Sequence, residues 1–560
     1  MEYERLTELN EKSWEEIKGS IVPDEESFWR GSVEPSLGIT IQQSLAISVS
    51  LYCCEHSKYH RNAKLLEAIS MQTDFLQRAQ RDTGLISLFT CNLNSPPDTA
   101  FTVHGAALCY QLLKKEGLSE TKEIETKLEK WLKKAMYGLI SGGFHTPNHR
   151  WVISGALALL YEIFGDEKAK GRVDCYIAQG LDISSDGEWT ERSNAIYNAV
   201  CDLFLYHVAR VFGYKQVFEA VRKNLEFMEY MLHPDGYVVT EFSRRQDASM
   251  QMPLSELYYC VLKPMAVQTQ NGKFEAMAEM VIKNGKAHDF GYALLYYLLY
   301  KDTLVPVKAE ELSDSYIKFL GERDDYKNYS TMTHYETRAI DNDKYHNVVR
   351  YRRKDLSITI MSAKPELFTL RYGPAKMYGM KLVLGWFGVA AMHFYSIKPI
   401  DETHYEMKAR IKGVYRQPFP YEMIKDKKGI LKDFPKVMPE LSDGVTISVD
   451  VLFELFDDGM DIKIKVYEYD NIFTQAVFMF DEEGTLDGDG LDRENENYSF
   501  LKDGKAVFEK DGYKINVSGG AYGHKFTTLR NDSIKQSTHS MIINMQTPIE
   551  KTIKIRCSKE

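Results

Sequence analysis

An all-helical half followed by an all-β half is the architecture this 560-residue sequence predicts, and three patterns predict it. From about residue 37 to 320, apolar residues recur at three- and four-residue steps, as in QQSLAISVSLYCC, NAKLLEAISMQTDFLQRAQ, HGAALCYQLLKKEG, WVISGALALLYEIFG and YNAVCDLFLYHVARVFG. Beyond about residue 330 the period changes to short alternating segments such as SITIMSA, VTISVDVLFEL, DIKIKVYEYD and TIKIRC, separated by Gly, Asp and Asn turns. Thirdly, within the helical half, a loop rich in Gly, Pro, Asp and aromatic residues repeatedly opens straight into an apolar helix.

Those loops are FWRGSVEPSLG, NSPPDTAFTVHG, SGGFHTPNHRW, SSDGEWTERSNAIYN, HPDGYVVTEFSRRQD and, more weakly, GKAHDFGYALLYY. Marked by Trp29, Asp98, His149, Glu191, Glu241 and His288, they recur every 42 to 69 residues, one helical hairpin per step. Helix pairs repeated at such a period bury their apolar faces only against neighbours. The loops carry Trp, Phe, His, Arg and Glu rather than bland turn residues, so they are expected to converge, which favours a closed or nearly closed α/α toroid over an open solenoid. The prediction is an (α/α) toroid of helical hairpins over residues 1–325 and an antiparallel β-sandwich over 326–560. Inner helices would then aim their amino-terminal N–H groups into one cavity, an arrangement suited to an anion.

Composition narrows the function. A net charge of -10 with scattered Lys and Arg argues against a nucleic-acid binder. The amino terminus MEYERLTELNEKSWEEIKG has neither a basic nor an apolar leader region, and the apolar runs are far shorter than a bilayer requires, so a cytoplasmic protein with no membrane association is expected. The eight cysteines lie mostly inside apolar helical runs and read as core residues of a reducing compartment; Cys53-Cys54 lacks the spacing of a zinc site. No nucleotide-binding or Ser-hydrolase motif appears in a strand-to-helix context, and Pro147 between His145 and His149 breaks the helical spacing of a metal pair. Neither a metal nor another cofactor is expected.

Two clusters carry the chemistry. Gly142 to Trp151 places Pro147 and Asn148 as a helix-start signal, with Asn148, His149 and Arg150 in the first turn and Phe144 and His145 just ahead. Asp186 to Asn198 holds Glu188, Trp189, Glu191 and Arg192 before Tyr197 at another helix start. A guanidinium such as Arg192 beside a tyrosine favours the phenolate, and it also suits a carboxylate ligand.

Asn-His at a helix start, an acidic-Gly-aromatic loop about 48 residues on that ends in Glu-Arg-Ser and then Tyr, and the helical-then-β order resemble the polysaccharide lyases of the heparinase II/III, alginate and chondroitin lyase type. The resemblance covers most of the chain as architecture and a few short motifs as sequence. It departs in one place: Glu191 and Tyr197 enclose five residues where those families leave four. It implies β-elimination on a uronic-acid-containing glycan, with Asn148 binding the uronate carboxylate, His149 as base or neutraliser, and Tyr197 protonating the leaving oxygen. Arg192 or Arg150 would share the carboxylate. Trp29, Phe144 and Trp189 would stack on sugar, and Asp98, His145, Glu191, Arg244 and Arg245 would line the cleft. His334, His346 and His393 are the candidates for a β-domain contribution of the kind those families make. Two other readings stay open: a glycoside hydrolase drawing a carboxylate pair from Asp98, Glu188, Glu191 and Glu241, and a carbohydrate-binding protein without catalysis.

Overall fold

The computed structural model describes residues 2–33, 39–286, 290–321, 330–333, 347–424, 439–493, 497–535 and 538–560. The chain divides into two compact units: residues up to Leu232 with Gly236–Ser313, and Asp314–Glu560 with the short excursion His233–Asp235. His334, His346 and the repeat marker His288 lie outside the described residues.

In the helical unit the chain runs α1 (Glu2–Ile17), α2 (Ile39–Cys53), α3 (Ala63–Ala79), α4 (Pro96–Glu116), α5 (Lys122–Ser141), α6 (Pro147–Phe164), α7 (Glu167–Ala178), α8 (Tyr197–Phe212), α9 (Lys215–Glu229), α10 (Glu256–Thr269), α11 (Gly272–Asn284) and α12 (Ala293–Tyr300). Even-numbered helices pack side by side from α2 to α12, and α12 returns against α2. The ring is therefore closed. Its inner helices are apolar on nearly every face, as α6 shows: Trp151 to Leu160 is buried without interruption. Outer helices such as α9 are amphipathic, burying Val217, Val221, Leu225 and Met228 on one stripe. This difference is what separates an inner from an outer ring.

Pro starts α4 and α6, where its missing N–H costs nothing, and Gly117, Gly165 and Gly213 end α4, α6 and α8 in the left-handed conformation. The closing step of the ring is held by a carboxylate. Glu256, at the start of α10, accepts the N–H groups of Gly291, Tyr292 and Ala293 at 2.7, 2.8 and 3.3 Å and so caps α12 from a neighbouring helix. Gly291 also lies so close to α2 that a Cβ would come within 2.3 Å of the Gln43 side chain.

Among the described residues the β unit holds two sheets of nine and ten strands. At the centre of one, His404–Gly413, Val445–Phe456, Gly459–Val466 and Ile549–Lys559 pair antiparallel in turn; in the other, Ala375–Leu384, Phe473–Asp481 and Thr538–Gln546 do the same. Two pairings depart from this and are parallel: Ser330–Thr333 on His404–Gly413, and Tyr498–Leu501 on Thr538–Gln546. Alternation of period two sends Ile447, Val449, Val451, Phe453 and Leu455 inward, where they share one core with Ile358, Leu370, Met380, Leu382 and Phe478 of the facing sheet. The architecture is an α/α toroid followed by an antiparallel β-sandwich.

Replacing Glu256 by Ala leaves three buried backbone donors at α12 without an acceptor. Chemical denaturation is expected to show a loss of about 2–3 kcal/mol, with Glu256→Gln losing less because the amide oxygen still accepts.

Candidate active site

The loops entering α4, α6 and α8 are brought together by a short list of buried hydrogen bonds. Gly142 lies against Pro96, the first residue of α4, so tightly that a Cβ would meet its ring at 2.6 Å. Gly187 adopts φ +95 and packs its α-carbon on the Lys223 carbonyl, where a Cβ would sit at 2.5 Å. Asp247, fully buried, accepts from Ser193 Oγ at 2.9 Å, Ala195 N at 3.1 Å and Ser243 Oγ at 3.1 Å, and so ties the loop before α8 to the loop before α10.

Glu191 is the centre of the site. Its Oε1 accepts from the Asn148 backbone N–H at 3.0 Å, and its two oxygens accept from Asn148 Nδ2 at 2.8 and 2.9 Å. Oε2 also accepts from Arg245 Nη1 at 3.2 Å. Thr146, the N-cap residue of α6, makes no capping bond, so Glu191 caps this helix from 43 residues away. Arg245 in turn lies over the Tyr197 ring, 4.6 Å from its centroid. Tyr197 opens α8 half-buried, its N–H donating to Ser193 Oγ at 3.2 Å.

His149 follows Asn148 into α6. Burial pushes its imidazole down to about 4; the Asp98 carboxylate opposes that shift, and His145 and Arg245 add to it. The ring is consequently neutral above mildly acidic pH, and its buried Nδ1 has no hydrogen-bond partner among the described residues. His145 is exposed, its ring 6.1 Å from that of His149. Asp98, in the first turn of α4, accepts from Ser95 Oγ and from Asn92 Nδ2 at 3.3 Å. Asp98, His149, Arg245 and Tyr197 therefore form one electrostatic neighbourhood.

Several expectations change in detail. Asn148 is fully buried and its amide nitrogen is engaged by Glu191 and Thr146, which makes it a partner that positions Glu191. Arg150 is bound to Asp182 at 3.0 Å and lies 4.0 Å from the Trp151 ring, a structural pairing within the wall. Trp189 is 1% exposed and donates from Nε1 to the buried Asp202 at 2.9 Å, leaving no face for a sugar. Burial raises the Asp202 carboxyl well above the usual range. Arg192, with φ 51, turns to Glu188 at 3.3 Å, and the guanidinium at Tyr197 belongs to Arg245.

Trp29 is half-buried in an aromatic cluster with Phe28, Phe89 and Phe75, at ring-centroid distances of 5.3, 5.5 and 6.0 Å; Phe28 and Phe89 are its exposed members. Phe144 is exposed and meets Tyr176 edge-on. Arg244 is half-buried beside the site loop, its N–H donating to the Arg192 carbonyl at 3.0 Å. His393 belongs to the β unit, and burial lowers its imidazole to about 4. Asp182, which holds Arg150, Trp151 Nε1 and Thr190, escaped sequence reasoning because nothing local marks an acceptor whose arginine and tryptophan partners lie 32 and 31 residues away. Among the described residues no group of three His, Cys, Asp or Glu is arranged to hold a metal ion, and no helix is long and apolar enough to cross a membrane.

No family model and no curated protein matches the sequence. The fold itself is that of the polysaccharide lyases that join an α/α toroid to a β-sandwich. Its structural neighbours include the chondroitin AC lyase of Streptomyces coelicolor A3 (TM-score 0.54, 12% identity, 100% of this chain and 80% of that one) and heparinase III (TM-score 0.54, 9% identity, 95% and 79%). A Paenibacillus xanthan lyase matches with TM-score 0.55 and 10% identity over 99% of this chain and 57% of its own.

A neutral His149 sets a pH signature. Any reaction in which it accepts a proton should keep its acidic limb in kcat/KM near pH 4, well below the value of about 6.5 for an unperturbed imidazole. A limb at 6 to 7 would show that His149 is not the base.

Proposed function

We propose that this protein is a lyase that cleaves a uronic-acid-containing polysaccharide or oligosaccharide by β-elimination. The observation that carries the proposal is the placement of one guanidinium, Arg245, over Tyr197 and within electrostatic reach of the neutral His149. The chain's fold neighbours include enzymes named for chondroitin, heparin and xanthan cleavage, which supports the same reaction class.

The chemistry assigns each group a task. A uronate C5–H is a weak acid, and removing its proton places charge on the adjacent carboxylate. Arg245, with Arg244 beside it, supplies positive charge for that enolate-like state in a partly desolvated site. His149 accepts the C5 proton because burial keeps its imidazole unprotonated. Electrons from the C5–H bond form the C4=C5 double bond as the C4–O4 bond breaks, and the Tyr197 hydroxyl delivers its proton to the departing oxygen. Atoms and charge balance with no added cofactor. Glu191 acts one step back, holding Arg245 at Tyr197 while Asn148 holds Glu191.

Hydrolysis by a carboxylate pair would have to draw on Asp98 and Glu241. Glu188 and Glu191 are each committed to an arginine, so neither stands ready as a proton donor.

Incubation with a panel of uronate glycans, followed by ultraviolet absorbance of the conjugated double bond, tests the reading. His149→Ala and Tyr197→Phe are each expected to lower the rate at least about a hundredfold, and Arg245→Lys to raise KM and lower kcat together, since a lysine cannot both bind Glu191 and cover the ring. Sugar release without new absorbance would overturn elimination.

A further inference from the structure

A cavity in the helical unit lies toward the end of α8 opposite Tyr197. Its volume is about 270 Å³, and it is walled by residues of α8, α10 and α12 and of the segment that follows α12. Arg210 in its wall is thirteen residues beyond Tyr197 on α8, or about 20 Å along the helix, so the cavity is separate from the site described above.

We propose that this cavity is a binding site for a small neutral phenol. Size is the first argument. An apolar cavity of about 150 Å³ holds a benzene ring, so this one accommodates a single ring with a substituent. The wall is the second. Tyr206, Tyr259, Tyr296 and Tyr300 present aromatic surface, which favours a flat apolar ligand packed face or edge against it.

Charge and hydrogen bonding then select within that class. The two cations of the wall are already neutralised: Arg210 by a bidentate pair with Glu162, and Lys263 by Glu275 at 2.6 Å and Glu2 at 3.2 Å. An anionic ligand would have to displace those carboxylates. Most hydroxyls of the wall are also engaged. Tyr206 accepts from Gln268 at 2.8 Å, Tyr259 donates to Glu2 at 2.9 Å, and Tyr296 is bonded to the Nε2 atoms of the buried His104 and His207. A sugar ring would bury several hydroxyls with too few partners.

Two groups remain. The Tyr300 hydroxyl makes no hydrogen bond to the described residues, and burial pushes its phenol up to about 12, so it stays an O–H donor and acceptor. Pro264 lies inside α10 and has no N–H to return to the carbonyl of Cys260, a cavity residue one turn earlier. One ligand hydroxyl, able to donate and accept, matches this small polar remainder.

The test is calorimetric titration of the intact protein with phenol, toluene and glucose, together with a crystal soaked in phenol. Phenol is expected to bind one-to-one, about tenfold tighter than toluene, with glucose showing no saturable binding. Tyr300→Phe keeps the ring and removes the free hydroxyl; it should cancel the preference for phenol over toluene. Leu304→Trp, at a half-buried wall position, should fill the cavity and abolish both. If that variant unfolds, Thr303→Trp at the exposed end serves the same purpose. Absence of saturable phenol binding, phenol density only outside the cavity, tighter binding of glucose, or an unchanged preference in Tyr300→Phe would each overturn the proposal.

Discussion

The carboxylate of Glu191 is the interaction on which the helical unit's working end depends. It accepts from three nitrogens: the Asn148 backbone N, the Asn148 Nδ2 shared between both carboxylate oxygens, and Arg245 Nη1. It thereby supplies the negative charge that the amino-terminal end of α6 favours, and it fixes the one guanidinium that covers Tyr197. Buried to 7% exposure, it is satisfied only because every partner is present. Remove the charge and three consequences arrive together: α6 loses its cap, Asn148 is left with buried donors, and Arg245 is released from Tyr197. A site built around one such acceptor couples fold and chemistry, because the residue that orients the cation also closes the helix.

The same device recurs around the ring. Asp98 stands in the first turn of α4, Glu191 caps α6, and Glu256 caps α12. Helix amino termini were expected to attract an anionic ligand; in this fold the protein's own carboxylates occupy that role at these three. The consequence for recognition is direct. For the uronate substrate proposed above, positive charge would have to come from side chains, and the loop before α10 carries Arg244 and Arg245.

How much of this was legible in the sequence follows from the range of each interaction. Periodicity is local, so the change from steps of three and four to steps of two separates helical ring from β-sandwich without further information. The helix-start signals at Pro147 and Tyr197 are local as well, and they correctly mark the ends at which His149 and Tyr197 stand. Partner identity is not local. Arg192 is five residues from Tyr197 and Arg245 is forty-eight away, yet Arg245 covers the ring; the left-handed backbone at Arg192 turns its side chain to Glu188. Trp189 and Arg150 share the composition of binding residues, but Asp202 and Asp182 satisfy them inside the wall. Nothing near either residue in the chain announces those acceptors.

One set of helices thus serves two unlike environments. At the amino-terminal ends, carboxylates, arginines and a neutral imidazole create strong local fields suited to moving a proton. At the cavity walled by residues of α8, α10 and α12 the charges are cancelled in pairs and the histidines are held neutral: burial pushes His104 down to about 3 and His207 well below its ordinary value, both joined to the Tyr296 hydroxyl. A single phenolic oxygen can donate to one imidazole nitrogen and accept from the other only if the two rings take opposite roles at Nε2. That requirement fixes the tautomers and rigidifies the contact between α4, α8 and α12. The charge-balanced wall there contrasts with the opposite ends of the inner helices, where the proposed elimination would have His149 of α6 and Tyr197 of α8 change charge.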